Sequence, residues 1–293
     1  MITRWLMILL FALAMPASYA QGLFLYHKGL QQPEEKAALL ASLLGDEFPM
    51  HFYSKNYTQR KGTVVLIGAN SINDFYRKGF TYPHIALDIS PATFNNIQQQ
   101  HCATACAGLV SVIYNTSTVL HLQTLQSSLS PEYSGPILVP LSSTVIPQPN
   151  IKLIEKVSDI SLHTSQHPEL NSLFLTAEME ALFANNLYTL VTDMYHQNVL
   201  LFGYSEMALN MGTIASVFPT LAQQVNVLKK VLQQLKDNHA TQQQHYVCEQ
   251  SFEVNPAVFS AYDTQLPIDK IKAALINATR RCLVESRAYH KKG

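Results

Sequence analysis

Charge is what this sequence has least of. Its 293 residues carry 20 Lys plus Arg against 20 Asp plus Glu, 14% of the chain, for a formal net charge of zero. A chain so balanced presents no polycationic face, which excludes nucleic acid and anionic membrane surfaces as partners. The usual catalytic signatures are missing too. There is no G-x-S-x-G elbow and no H-E-x-x-H pair. The stretch GANS at 68–71 lacks the repeated glycines that cradle phosphate. The eleven His are scattered. Without C-x-x-C pairs, neither His101, Cys102 and Cys106 nor His239, His245 and Cys248 has zinc-module spacing. Glu178 and Glu180, near the start of a helical stretch, are explained by the helix dipole. No enzyme, cofactor or metal is expected.

Long apolar runs are equally scarce. The opening MITRWLMILLFALAMPASYA has one Arg, a short apolar run, Pro16 and small residues at Ser18 and Ala20. That pattern predicts a signal peptide, residues 1–20, cleaved before Gln21, and is too short for a spanning helix. No Cys follows the cleavage point, so a lipid anchor is not indicated. Cys102, Cys106, Cys248 and Cys282 then all lie in an exported chain, where thiols oxidise. Three pairings are open; a local Cys102–Cys106 bridge with a long-range Cys248–Cys282 bridge is preferred.

What the chain does have is alternation. Apolar strands (LFLY, TVVLIG, HIALDIS, LVSVIYN, GPILVPL, SLFLT, NVLLFG, IASVFP) take turns with amphipathic helices. This predicts an α/β protein with parallel sheets and right-handed crossovers. NNIQQQHCATACAG breaks the rhythm and reads as a boundary. It suggests a first lobe of 21–107 plus a returning 246–293, and a second lobe of 108–245. AEMEALFANNLYTLVTDMYHQ reads as one long helix, DNHATQQQH as a soft linker, and Asn70 or Ser71 as a helix cap.

The strand tips are polar. His27, Asn70, Ser71, Asp88 and Ser90 mark one lobe. Tyr114, Asn115, Thr116, Ser142, Thr176, Glu178, Tyr204, Ser205 and Glu206 mark the other. Opposed strand ends make a cleft for a small ligand: helix N-termini would hold a carboxylate, and Glu178 or Glu206 an ammonium. The same residue types also cap helices.

VLLFGYSEMALNMGTIASVFPTLAQQVNVLKKVL resembles a region of the ABC-transporter substrate-binding proteins that include tryptophan and tyrosine receptors. LVSVIYNTST, LNSLFLTAEM and FEVNPAVFSAYDTQLP extend the likeness, and VLIGANSINDFYRKGFTYPHIALDIS fits more loosely. The resemblance implies a type I periplasmic-binding fold, two three-layer α/β lobes with parallel sheets joined by a hinge. It also implies a monomeric periplasmic receptor that binds a small polar ligand such as an amino acid and serves an inner-membrane ABC permease. Tyr114 and Tyr204 could stack on an aromatic ligand. By this likeness the acidic ligand contact falls on Glu178, the acidic turn on Ser205 and Glu206, the Tyr-Asn tip on Tyr114 and Asn115, and a carboxylate-holding turn on 69–71. Ser205 replaces the first acid of that turn, and HCATACAG a Gly-rich crossing. The alternative on this fold is a transport-incompetent periplasmic module that senses or binds a partner, such as a sensor protein.

Overall fold

The structure, a computed structural model, describes residues 23–26, 33–52, 62–102, 106–133, 135–141, 148–183, 186–237, 243–262 and 265–290. The expected signal peptide lies outside them. No described helix is long and apolar enough to cross a membrane.

The strands in chain order are β1 (Leu23–Tyr26), β2 (Met50–Phe52), β3 (Thr63–Ile67), β4 (His84–Ile89), β5 (Leu109–Tyr114), β6 (Ile137–Pro140), β7 (Ile151–Ile154), β8 (Ser172–Leu175), β9 (Leu200–Gly203), β10 (Ala215–Phe218), β11 (Gln243–Tyr246) and β12 (Ser251–Val254). They form two six-stranded sheets, β2-β1-β3-β4-β5-β11 and β7-β6-β8-β9-β10-β12. The pairings of the first sheet are parallel. In the second only β12 runs antiparallel, against β10. Central strands such as β3, TVVLI, are β-branched and buried because helices cover both faces of each sheet.

The helices are α1 (Pro33–Leu44), α2 (Gly68–Arg77), α3 (Pro91–His101), α4 (Val119–Ser128), α5 (Val157–Gln166), α6 (Glu180–Phe183), α7 (Leu187–His196), α8 (Glu206–Asn210), α9 (Leu221–Lys236), α10 (Pro256–Phe259) and α11 (Ile268–His290). Helix α9 shows how sequence sets one of them. Thr220 caps it through a reciprocal pair with Gln223, whose side chain accepts from the Thr220 N–H at 2.8 Å. Its stripe Val225, Leu228, Val231, Leu232 and Leu235 is buried with Leu25, Val65 and Ile85. Each such side chain contributes roughly 1.5–3 kcal/mol on leaving water.

The lobes are divided differently from the predicted 21–107 plus 246–293 and 108–245. Strand β5 still belongs to the first sheet, its Val112 and Ile113 in register with Ala86 and Leu87 of β4. Helix α9 and strand β11 also belong to the first lobe. The C-terminal β12 joins the second sheet, and Ile271 and Leu275 of α11 pack with Leu122 and Leu125 of α4. The chain therefore crosses between lobes at 115–118, 219–220 and 247–250. An apolar stripe announces that a helix is buried without saying against which sheet, which is why the ranges went astray.

Other readings shift as well. The supposed linker holds edge strand β11, a polar QQHY paired with β5. Strand β7 and helix α5 lie where no element was predicted. The long helix from Ala177 is a 3-10 turn (Ala177–Met179), then α6, then α7. The disulfides are Cys102–Cys106 and Cys248–Cys282, the preferred pairing.

Candidate functional site

In sheets of this order the sequence of strands reverses between β1 and β3 and between β6 and β8, although all these strands run parallel, and ligands gather at the carboxyl ends beside such points. Pro140, which ends β6, and Glu178, which follows β8, line a cavity of about 750 Å³ between the lobes. That volume suits a metabolite. The first lobe supplies Pro91, Ala92, Thr93, Asn95, Asn96 and Gln99 of α3. The second supplies Pro140, Glu178, Glu180, Phe183, Leu187, Tyr204, Met207 and Met211.

Glu180 ties the two walls together. Ser90 caps α3 by accepting from the Thr93 N–H at 3.2 Å, and its hydroxyl donates to Glu180 of the opposite lobe. The Thr93 hydroxyl donates to the same carboxylate oxygen, Oε2, at 3.2 Å. Burial raises the pKa of Glu180, while the two hydroxyls pull it the other way.

Tyr204 is delivered by Gly203 at the end of β9. A side chain at 203 would meet Ser216 Oγ at 2.3 Å and Thr213 Oγ1 at 2.9 Å, so only glycine lets the strand end pass that close. The Tyr204 ring is fully buried, and its hydroxyl has no hydrogen-bond partner among the described residues. Burial, then the Glu180 and Glu178 carboxylates, raise its pKa. Tyr246, whose ring centroid lies 4.9 Å from that of Tyr114, is pushed up to about 12 by burial first and Glu178 second.

The crossings adjoin this wall: the Ser117 N–H of the first donates to the Tyr204 carbonyl at 3.1 Å. Asp88 sits at φ 60, beside an irregularity in the β4–β5 register. This left-handed backbone is rare for a side chain other than glycine and marks sites where geometry is imposed. Asp88 Oδ1 accepts from Asn115 Nδ2 at 3.2 Å and Gln224 Nε2 at 3.4 Å, joining the first two crossings to the end of β4. The third is held by His121, whose Nε2–H donates to the Cys248 carbonyl at 3.0 Å. The Thr118 N–H donates to His121 Nδ1 at 3.3 Å, which fixes that tautomer. Burial lowers the His121 pKa to about 4. Asn115 Oδ1, Thr116 Oγ1, Ser117 Oγ, Tyr204 OH and Gln224 Oε1 are buried here without a partner among the described residues. Folded proteins leave few such atoms, so their clustering along the first two crossings and at Tyr204 sets this seam apart.

Of the residues singled out from sequence, Glu178 and Tyr204 line the cavity, Ser90 reaches it only through Glu180, and Asp88, Asn115 and Thr116 lie in or beside the first crossing, outside the lining. Tyr114 packs under Tyr246 and Phe94. Thr176 donates to the Leu138 carbonyl at 2.8 Å and so serves the sheet. Ser205 caps α8, accepting from the Ala208 N–H at 3.1 Å, and Glu206 is exposed in that helix's first turn. Asn70 and Ser71 do not cap α2: it begins at Gly68 and places them inside the first turn, Asn70 exposed and Ser71 buried. His27 and Ser142 lie outside the described residues. Glu180 had been explained by the helix dipole alone, and the α3 face was overlooked. Its signal is a run of small and amide side chains at helical spacing, Ala92, Asn96 and Gln99, opposite the buried Phe94 and Ile97.

No protein-family model matches the chain, and no curated protein matches it in sequence. Solved structures do. A substrate binding protein with adhesive properties from Clostridium difficile, in its ligand-free open form, superposes with a TM-score of 0.51 at 11% identity, over 84% of this chain and 95% of that one. The ABC domain in complex with L-Trp from Streptococcus pneumonia gives 0.45 at 11% identity, over 86% and 96%. A conserved domain protein from Vibrio cholerae gives 0.46 at 11%, over 86% and 97%. The likeness to the first is one of fold: the chain has the two-lobed α/β architecture of type I periplasmic binding proteins.

Proposed function

We propose that this protein is an exported solute-binding receptor, which captures a small polar ligand between its lobes and presents the closed form to an inner-membrane ABC-type permease. The observation that carries the reading is the cavity of about 750 Å³ between the lobes at the strand ends, adjoined by crossings whose buried polar atoms have no partner among the described residues. Three chain crossings allow the lobes to move as a hinge while each sheet stays rigid. Affinity would come from burying the ligand, and closure would be the signal read by the permease. The fold neighbour described as a substrate binding protein supports the same reading. Exported location agrees with the two disulfides and with the signal-like opening of the sequence. Among the strand-tip residues, Glu178 and Tyr204 are proposed as direct contacts, and Asp88, Asn115 and Thr116 as hinge residues in and beside the first crossing.

A second reading is favoured by one feature. Glu180 crosses the seam to the N-terminus of α3, so a protein side chain holds the position that a ligand carboxylate would take. A module locked in this way would sense or bind a partner and transport nothing. Thermal-shift screening against amino acids, sugars and amines separates the two. A receptor gains several degrees with one class, since a ligand at 100 times its Kd adds about 2.7 kcal/mol; a locked module shifts with none.

A further inference from the structure

The cavity is lined by two carboxylates, Glu178 and Glu180, and by no lysine, arginine or histidine among the described residues. Glu180 is held by two hydroxyls through Oε2, and neither supplies positive charge; its Oε1 has no donor among the described residues. Glu178 has no hydrogen-bond or ion-pair partner among them either, and the Tyr204 hydroxyl beside both acids is buried and unpartnered. On the second lobe the rest of the wall is apolar, with Phe183, Leu187 and Met211, and it faces the amides Asn95, Asn96 and Gln99 of α3.

From this arrangement we infer that the cleft takes a small organic ammonium, a primary amine on an apolar body, in preference to a zwitterionic amino acid or a sugar. The inference rests on the receptor reading and narrows its ligand. A primary ammonium has three N–H donors, and Glu178, Glu180 Oε1 and the Tyr204 oxygen are three acceptors. Its charge supplies the cation that two neighbouring carboxylates otherwise lack. An amino acid would bring a third carboxylate into the cluster, and Glu180 already holds the α3 N-terminus. A sugar would leave both charges uncompensated and cover the apolar lining with hydroxyls.

Calorimetric titration of the mature protein at pH 7 tests this with matched probes: phenethylamine, butylamine and putrescine; phenylalanine and norleucine; phenethyl alcohol; and ribose. The expected result is that at least one amine binds ten times or more tightly than the amino acids, the alcohol and the sugar. Glu178→Gln should weaken that amine at least tenfold while leaving the circular dichroism spectrum and Tm within error of the parent. Tyr204→Phe should weaken it several-fold. Tighter binding of phenylalanine, norleucine or ribose overturns the ammonium assignment and leaves the receptor reading standing. So does amine binding that Glu178→Gln leaves intact. If no probe of any class binds, both fall together.

Discussion

At the scale of single residues, several side chains hold conformations or protonation states that only their surroundings explain. Gly203 passes so close to Ser216 and Thr213 that a methyl group there must push β9 or β10 aside. Gly203→Ala is expected to cost about 1–3 kcal/mol, seen as a lower denaturation midpoint, and to weaken ligand binding because Tyr204 is displaced. The titrating groups oppose one another. His84 donates to the Tyr82 carbonyl at 2.7 Å and faces the Tyr76 hydroxyl at 2.9 Å. Burial lowers its pKa, like that of His121, from 6.5 to about 4. Each therefore contributes stability that is complete above pH 6.5 and lost as pH falls toward 4, on the order of 3 kcal/mol apiece. Glu180 has the reverse sign: its raised pKa favours the folded state when protonated, and that contribution fades as pH rises through the folded value. With two histidines against one carboxyl, Tm should fall between pH 6.5 and pH 4. Glu180→Gln should make the fall steeper while leaving Tm at pH 7 equal or higher. A Tm profile over that range, run on both proteins, checks the signs.

At the scale of elements, the disulfides differ in what they hold. Cys248–Cys282 spans 34 residues and pins the third crossing to α11, while Cys102–Cys106 spans four at the C-terminal end of α3. Loop-closure entropy puts the first near 4 kcal/mol and the second near 2 kcal/mol. Paired Cys→Ser variants should rank in that order in urea unfolding. The sequence made the regular elements legible where the period was clear, α9 by its apolar stripe and β3 as TVVLI, whereas NNIQQQH, read as part of a boundary, lies in α3. It failed where structure is held by neighbours alone. QQHY becomes β11 only because β5 offers an edge, and Ser111 donates to the Gln243 carbonyl at 3.2 Å to hold it. The stretch from Ala177 looked like one helix because Met179, Leu182, Phe183 and Leu187 keep helical spacing, yet a new helix starts at Leu187 behind Asn186, which lies outside it at the N-cap.

At the scale of the molecule, strand alternation was enough to predict two α/β lobes with largely parallel sheets. It could not assign the returning C-terminus to its lobe, because that choice depends on packing across the hinge. The same limit applied to the site. Glu178 and Tyr204 could be picked out as strand tips, whereas Glu180 and the α3 amides matter through meeting across the seam, a relation between residues some 90 positions apart. The crossings are stitched by hydrogen bonds of Asp88, Gln224 and His121.

Native mass spectrometry of the protein isolated in its exported form asks directly whether the seam holds a metabolite. The account predicts one bound molecule of metabolite mass, released on denaturation and lost in Ala92→Trp, whose side chain would fill the cavity from α3. A bare protein mass at every stage of purification, or an adduct that Ala92→Trp leaves in place, would contradict it.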